Sequence, residues 1–335
     1  MTSGSLAPTD FVVTAVGSAL PPDHPADAAS PWFDHRAELG RGYRHLPPSC
    51  QYLLAAVERA LAPDGIRDAL LAVPEEERAV AVGTNHGVSG VHAEVDRATV
   101  SGEAHLISPA GVPYFSPNLL ASRVAMEHGL KGFSLAVHSP RSAGLEALQE
   151  GLRALRSGRA RWLLAGVTEA PVPEADKAAV HSSGRTEDGA LALVVEDAAA
   201  VRARGGRALG RVRVRSVFLS PHTAGSASGT ERARAALAAA FAGLGVVPPT
   251  DRRTRLIGDG SAVARAVAEV LTDPVPAGTG SLLAVREVAD ALVGAAGEHL
   301  VVTATGAGAI TVARVVPEPA RPAFPHLNPA GRNPI

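Results

Sequence analysis

The amino-acid sequence predicts an α/β fold made of two halves. Short apolar segments rich in β-branched residues alternate with longer segments whose apolar residues recur every three to four positions. This alternation precedes and follows a charged connection at residues 201–206, which ends in two glycines. We therefore predict a first half at residues 1–206, a shortened second half at 207–316 and a Pro-rich tail at 317–335. The related order of elements suggests an internal structural duplication.

The elements of the first half follow from apolar periodicity and from residues that begin and end helices. Buried strands are predicted at residues 11–16, 79–83, 133–138, 162–167 and 190–196. Helices are predicted at residues 49–61, 117–128 and 142–157. Ser49 is the expected cap of the first helix and Gly129 the stop of the second. Residues 84–113 are expected to be irregular.

The second half repeats this pattern over fewer residues. Strands are predicted at residues 212–218, 256–257, 300–304 and 309–315. Helices are predicted at residues 231–244, 262–271 and 282–293.

Composition excludes several functional classes. The 335 residues carry a net charge of −1, so no broad basic field is available for nucleic acid. Cys50 is the single cysteine, which excludes an intrachain disulfide and a cysteine metal cluster, and we expect a packed thiol there. The twelve histidines have no metal-binding spacing, and no glycine pair has a dinucleotide-binding context. We expect a cytoplasmic protein with no signal peptide, membrane segment, metal or cofactor.

The most informative segment is residues 133–147, FSLAVHSPRSAGLEA, where a predicted strand enters a sharp turn and then an apolar helix. Such a turn holds a side chain at a helix N-terminus, where backbone N–H groups favour negative charge and would activate a thiolate. By geometry alone, an ordinary strand–helix turn remains an equal alternative.

This segment resembles the nucleophile elbow of β-ketoacyl synthases, and the alignment places Arg141 where that family has its cysteine. Further segments resemble the family in the same order along the chain: residues 33–46, 151–170, 187–196 and 202–206. A guanidinium remains protonated and cannot act as a nucleophile. Because its charge opposes the helix dipole, Arg141 needs an acidic or carbonyl partner, and the candidates are Glu187, Asp188 and Asp259.

The second half departs from the family at both histidine positions. The first region, residues 257–261, has Asp259 and no histidine, and the second, residues 280–284, has Ser281 at the histidine position. Ala307 replaces the aromatic residue of the late glycine-rich loop. The resemblance therefore implies that all three catalytic positions are lost and that no residue of the chain is catalytic.

This pattern of loss resembles the chain length factors of type II polyketide synthases, although those usually carry Gln instead of Arg141. The short second half suggests the branch that serves highly reducing, polyene-forming systems. The resemblance implies a thiolase-like fold with five αβαβα layers. It also implies a heterodimer with an active ketosynthase, which receives its acyl chain from an acyl carrier protein.

In such a heterodimer, the strand before the elbow pairs across the interface, which assigns Phe133, Leu135 and Val137 to the contact. The chain length factor closes the far end of the acyl tunnel. The residues that the resemblance places there are Val112, Phe115, Ser116 and Leu119.

Three alternatives remain open. The tunnel residues could be only core and cap residues of the helix at 117–128. The chain could be a same-fold acyltransferase or decarboxylase with non-standard catalytic residues. It could also be a ketosynthase relic that only stabilises a complex.

Overall fold

The computed structural model describes residues 10–22, 32–107, 109–177, 186–246, 253–294 and 296–319. In these ranges, ten strands form a single mixed sheet and eleven α-helices cover it. The strands are β1 (Phe11–Ala19), β2 (Arg78–Thr84), β3 (Ser134–His138), β4 (Trp162–Glu169), β5 (Gly189–Asp197), β6 (Gly210–Phe218), β7 (Arg253–Gly258), β8 (Val275–Pro276), β9 (His299–Ala304) and β10 (Ala309–Pro317).

The helices alternate with these strands along the chain. They are α1 (His35–Leu39), α2 (Pro48–Leu61), α3 (Ile66–Leu71), α4 (Ser89–Val100), α5 (Asn118–His128), α6 (Ala143–Arg156), α7 (Ala198–Ala203), α8 (Pro221–Ala224), α9 (Gly229–Leu244), α10 (Ala262–Ala268) and α11 (Leu282–Gly294). Short 3-10 turns at Ala104–Leu106 and Pro109–Phe115 connect α4 to α5.

The strand order is the same in both halves. The sheet runs β3-β2-β4-β5-β1-β6-β10-β9-β7-β8, so the second half mirrors the first across the β1–β6 junction. In each half, the second strand pairs in parallel with the third and fourth, and the fifth strand is antiparallel to its neighbours. The junction itself is one antiparallel pair, Val13 with Gly210. This equivalence supports the suggested duplication.

The helices form three layers separated by the two halves of the sheet. α2 and α5 pack on the outer face of the first half, and α9 and α10 on the outer face of the second. α6 and α11 pack against each other and against strands of both halves, which places them in the middle layer. Three separate apolar clusters fill the spaces between these layers. The predicted α/β class and the five-layer αβαβα arrangement are thus confirmed.

Two local predictions are wrong. Ser49 does not cap α2: Pro47 and Pro48 begin the helix, and the Ser49 hydroxyl donates to the carbonyl of Gly87 at 2.5 Å. Residues 84–113 are not irregular throughout, because α4 occupies Ser89–Val100.

The connection at residues 201–206 begins inside α7 and continues as a loop to β6. β10 extends to Pro317, and the predicted tail from residue 320 lies outside the described residues. Within the described ranges, none of the helices is long and apolar enough to cross a membrane.

Candidate functional site

The turn between β3 and α6 has the geometry of an elbow. Its apex is Arg141, with φ of 60°, the one non-glycine residue of the described chain that has a positive φ. This region of backbone conformation is unfavourable for a bulky side chain and persists only where the surroundings enforce it. The turn therefore presents the Arg141 side chain at the N-terminal end of α6.

Close packing enforces this turn. A Cβ atom at Gly83 would collide with the carbonyl of Ala143, so β2 touches the first turn of α6 directly. A Cβ at Gly144 would lie 2.6 Å from Val285 of α11 and 2.8 Å from Val167 of β4. The two glycines thus let the elbow press against both the sheet and the second half.

Arg141 is held by loops of the second half. Its Nη1 lies 3.5 Å from Oδ2 of Asp259, after β7, and its Nε donates to the carbonyl of Gly278, after β8, at 3.2 Å. The Asp259 carboxylate also accepts from the backbone N–H of Gly306, between β9 and β10, at 2.8 Å. The Arg141 side chain is only 13% exposed and that of Asp259 8%. The guanidinium therefore occupies the place where these loops converge.

The other two candidate acids have different partners. Asp188 accepts a hydrogen bond from the indole N–H of Trp32 at 2.6 Å. Oε2 of Glu187 accepts from the backbone N–H of Leu282, at the start of α11, at 2.6 Å. Burial, followed by the nearby charge of Glu169, raises the pKa of Glu187 to about 8. Glu187 is thus mainly protonated at neutral pH and supplies little negative charge to Arg141.

Ser281 is anchored to a buried carboxylate. Oε1 of Glu169 accepts from the Ser281 hydroxyl at 2.7 Å and from its backbone N–H at 2.9 Å. The same carboxylate accepts from the backbone N–H groups of Asn85 at 2.8 Å and His86 at 2.7 Å. Glu169 consequently joins the loop after β2 to the start of α11, and the Ser281 hydroxyl is committed to that contact.

His86 of this region was not predicted from the sequence. His86 follows β2, whose carboxyl end lies beside those of β3 and β4, and its ring interacts with Glu169, Arg141 and the backbone of Thr279. Burial lowers its pKa, and the charge of Glu169 opposes this shift. The ring is therefore mainly neutral at pH 7. Its position at the carboxyl end of a central strand was the signal that could have identified it.

The four residues predicted to line the tunnel lie in the segment that runs from the turn after α4 into the first turn of α5. Val112 and Phe115 belong to the 3-10 turn Pro109–Phe115, Ser116 lies between this turn and α5, and Leu119 is the second residue of α5. Phe115 is 43% exposed, Ser116 is exposed and Leu119 is half-buried. Phe115 also borders a cavity of about 540 Å³ that is otherwise lined mainly by α4 and the adjoining turns.

The three residues predicted to form the interface, Phe133, Leu135 and Val137, lie at one end of the sheet. β3 is the edge strand, paired on one side with β2, and Leu135 and Val137 on it are half-buried. Phe133 precedes the strand and packs under Arg159, whose guanidinium carbon lies 5.0 Å from the ring centroid.

Cys50 lies away from the elbow in the packing of α2. Burial raises the pKa of its thiol to about 12, which keeps it protonated and unreactive at neutral pH. Among the described residues, no group of three His, Cys, Asp or Glu side chains could hold a metal ion.

Comparison with known families gives the class of this chain. Residues 31–198 match the family described as "Beta-ketoacyl synthase, N-terminal domain". The chain therefore belongs to the β-ketoacyl synthase family, and its fold is the thiolase-like fold of ketosynthases.

Two curated relatives match parts of the chain. Over 192 residues it is 29% identical to the tetracenomycin polyketide synthase ketoacyl synthase alpha subunit of Streptomyces glaucescens, covering 49% of this chain and 45% of the relative. Over 146 residues it is 27% identical to 3-oxoacyl-[acyl-carrier-protein] synthase 2 of Rhizobium meliloti (strain 1021). That match covers 43% of this chain and 33% of the relative. The matches thus span less than half the length of these relatives.

Solved structures match nearly the whole chain in fold. The ishigamide ketosynthase/chain length factor aligns with a TM-score of 0.70 and 20% identity, over 92% of this chain and 99% of that one. A type II PKS acyl-carrier protein in complex with its ketosynthase bound to the hexaketide aligns with a TM-score of 0.69 and 16% identity. That alignment covers 93% of this chain and 100% of the matched chain.

Proposed function

We propose that this chain is a non-catalytic chain length factor, which forms a heterodimer with an active ketosynthase and closes the acyl tunnel of the pair. The observation that carries the proposal is Arg141, which occupies the nucleophile position of the elbow and contacts Asp259 at 3.5 Å. Acyl transfer to this position requires a group that can lose a proton and attack a thioester carbonyl. A guanidinium cannot do so.

The surrounding loops also favour a silent site. The region of the first lost histidine contains Asp259, which contacts Arg141, and the position of the second is assigned to Ser281, whose hydroxyl donates to Glu169. Neither can supply the neutral imidazole that polarises a thioester in the active family members. In this proposal the ion pair keeps the vestigial site closed, so that the substrate reacts only in the partner.

A second candidate function, decarboxylation, rests on His86. This largely neutral imidazole lies near Arg141, so a malonyl carboxylate bound there would meet a cation and a proton-transfer group together. The ring nitrogen Nδ1 lies 3.4 Å from the Ser89 hydroxyl, and the ring also interacts with the backbone of Thr279. We favour the non-catalytic role because His86 already contacts Ser89 and Thr279, and Arg141 is already paired with Asp259.

The partner surface proposed here is the free edge of β3 together with the elements beside it. α5 packs along β3, and the turn Pro109–Phe115 contacts both α4 and α5. Large apolar side chains are exposed on these elements at Phe115 and Met126, and on the preceding 3-10 turn at Leu106. An unpaired edge beside exposed apolar groups is suited to pairing with a second subunit.

This arrangement supports the assignment of Val112, Phe115, Ser116 and Leu119 to the tunnel end. Phe115 and Ser116 are exposed in the single chain and lie beside the proposed partner surface, so a heterodimer would cover them. The shortened second half supports placement in the polyene-forming branch. The acyl carrier protein would deliver its chain to the partner ketosynthase.

Co-expression with a ketosynthase, followed by reconstitution with an acyl carrier protein, tests the proposal. The expected result is a stable complex whose condensation activity is lost when the partner's catalytic cysteine is replaced and is retained in the Arg141→Ala complex. The chain alone should neither become acylated nor decarboxylate malonyl carrier protein. Acylation of the chain alone would favour an acyltransferase, and His86-dependent release of CO2 would favour a decarboxylase.

A further inference from the structure

Three arginines from both halves of the chain line one surface cavity of about 300 Å³. Arg156 is the last residue of α6, and Arg213 and Arg215 occupy alternate positions on β6, so these two project from the same face of the sheet. Gly243 and Leu244, at the end of α9, complete the wall beside them. The cavity lies at the opposite end of α6 from the elbow.

Neighbouring arginines on the same strands are neutralised by acids. Arg211 contacts Asp10 at 2.7 Å and Glu318 at 2.6 Å, and Arg314 contacts Glu298 at 2.7 Å. Within the ranges that the structure describes, no carboxylate forms an ion pair with Arg156, Arg213 or Arg215. Positive charge on these strands is therefore balanced everywhere except at the cavity.

Two of the unbalanced charges, Arg156 and Arg213, also act on each other. Arg213 lies directly opposite Arg314 in the β6–β10 register, but the Arg314 charge is itself paired with Glu298. Partial burial, followed by the charge of Arg213, lowers the pKa of Arg156. The C-terminal ends of α6 and α9 offset part of this repulsion through their helix dipoles. Because the whole chain carries a net charge of −1, these three arginines are a local concentration of positive charge rather than part of a broad basic surface.

We propose that Arg156, Arg213 and Arg215 form a binding site for the phosphate group of a small anionic ligand. Guanidinium groups present paired N–H donors that match phosphate oxygens, and several converging on one cavity can hold one phosphate from different sides. A cavity of about 300 Å³ favours a small ligand over the broad acidic surface of a protein. Since α6 belongs to the first half and β6 and α9 to the second, the bound phosphate would connect the halves. This inference does not depend on the proposed chain-length role.

Calorimetric titration and thermal melting of the full chain, co-purified with a ketosynthase if solubility requires it, test this site. The probes are inorganic phosphate and pyrophosphate, with ionic strength held constant by chloride. We expect saturable binding and a rise in melting temperature that follows saturation. In the Arg213→Gln/Arg215→Gln double variant the dissociation constant should rise about tenfold or more, because two charged hydrogen-bonding groups are lost. Arg234→Gln, an exposed position of α9 outside the cavity, is the matched control and should leave binding unchanged.

Several results would overturn the proposal. Equal stabilisation of the wild type and the double variant would identify a general ionic effect, and the absence of saturable binding by both probes would exclude the site. Binding of polyglutamate without binding of either phosphate probe would assign the cluster to an acidic protein partner. If the double variant does not fold, Arg156→Gln provides the same test, because this residue is the last of α6 and lies outside the buried apolar clusters.

Discussion

Arg141 and Asp259 join the elbow of the first half to a loop of the second, with Nη1 and Oδ2 3.5 Å apart. Both side chains are largely buried, so the removal of either leaves a charge with reduced solvation. The Asp259 carboxylate additionally holds the Gly306 N–H, which extends the connection to a third loop. The pair therefore has a structural function that does not require catalysis.

The first prediction is that Arg141→Ala lowers the free energy of unfolding by about 1.5–3 kcal/mol, the range for hydrogen bonds to charged groups. Asp259→Asn should have a similar effect. The free energy of unfolding lost in the double variant should be smaller than the sum of the two single losses, because both changes break the same contact. Denaturant unfolding of the four proteins measures this coupling. An Arg141→Ala complex that assembles normally but loses all condensation would instead make Arg141 catalytic.

A second prediction concerns pH and Glu187. Its pKa is about 8 in the folded chain against an ordinary value of 4.5, so the folded state retains a proton that the unfolded state releases between these values. The contribution of Glu187 to the free energy of unfolding is therefore largest below about pH 4.5. It decreases as the pH rises and levels off above about pH 8. The loss should be on the order of a few kcal/mol.

Glu187→Gln should remove this pH-dependent loss of stability. The amide oxygen can still accept from the N–H of Leu282, and no charge develops beside Glu169 at high pH. Unfolding free energies measured from pH 5 to pH 9 compare the variant with wild type and with Glu76→Gln, an exposed control. A wild-type slope that persists in Glu187→Gln would assign the pH dependence to another group.

The sequence predicted the regular elements best where burial imposes a clear period. The strand predicted at residues 162–167 is β4, Trp162–Glu169, and the helix predicted at 282–293 is α11, Leu282–Gly294. α4 was missed because only Ala98 of its twelve residues is buried, which leaves no apolar stripe in the sequence. β8 was missed because two residues, Val275 and Pro276, are too short to show alternation.

The site was harder to predict because its contacts join distant segments. The sequence offered three acids for Arg141, and only the packing of the two halves selects Asp259 and directs Asp188 toward Trp32. Ser49 has the composition of a helix cap, but its hydroxyl donates to Gly87, 38 residues away. His86 was overlooked because its segment had no recognised periodicity.

A third prediction concerns the edge strand β3. Produced alone, the chain should self-associate or be insoluble, because no strand of the described ranges pairs with this edge and apolar groups are exposed beside it. Val137→Lys should weaken pairing with the ketosynthase by placing a charge on the proposed interface. Light scattering during size-exclusion chromatography measures both effects. Val293→Lys, an exposed apolar position on α11, is the control, and a stable monomer indifferent to any ketosynthase would contradict the interface assignment.

The last prediction tests the chain-length role through the volumes of Phe115 and Ser116. If these side chains close the tunnel, a growing acyl chain must displace them, and overpacking a dense interior costs about 1–3 kcal/mol. Since about 1.4 kcal/mol changes the partition between extension and release tenfold, one substitution can shift the dominant product by one or more extension units. Phe115→Ala should lengthen the products and Ser116→Trp should shorten them, with the first condensation nearly unchanged.

Mass spectrometry of the products of the reconstituted pair measures the shift, and Val100→Ala, at an exposed position of α4, is the control. Unaltered lengths for both variants, in complexes with wild-type assembly, would refute the tunnel assignment even though the fold is that of a ketosynthase.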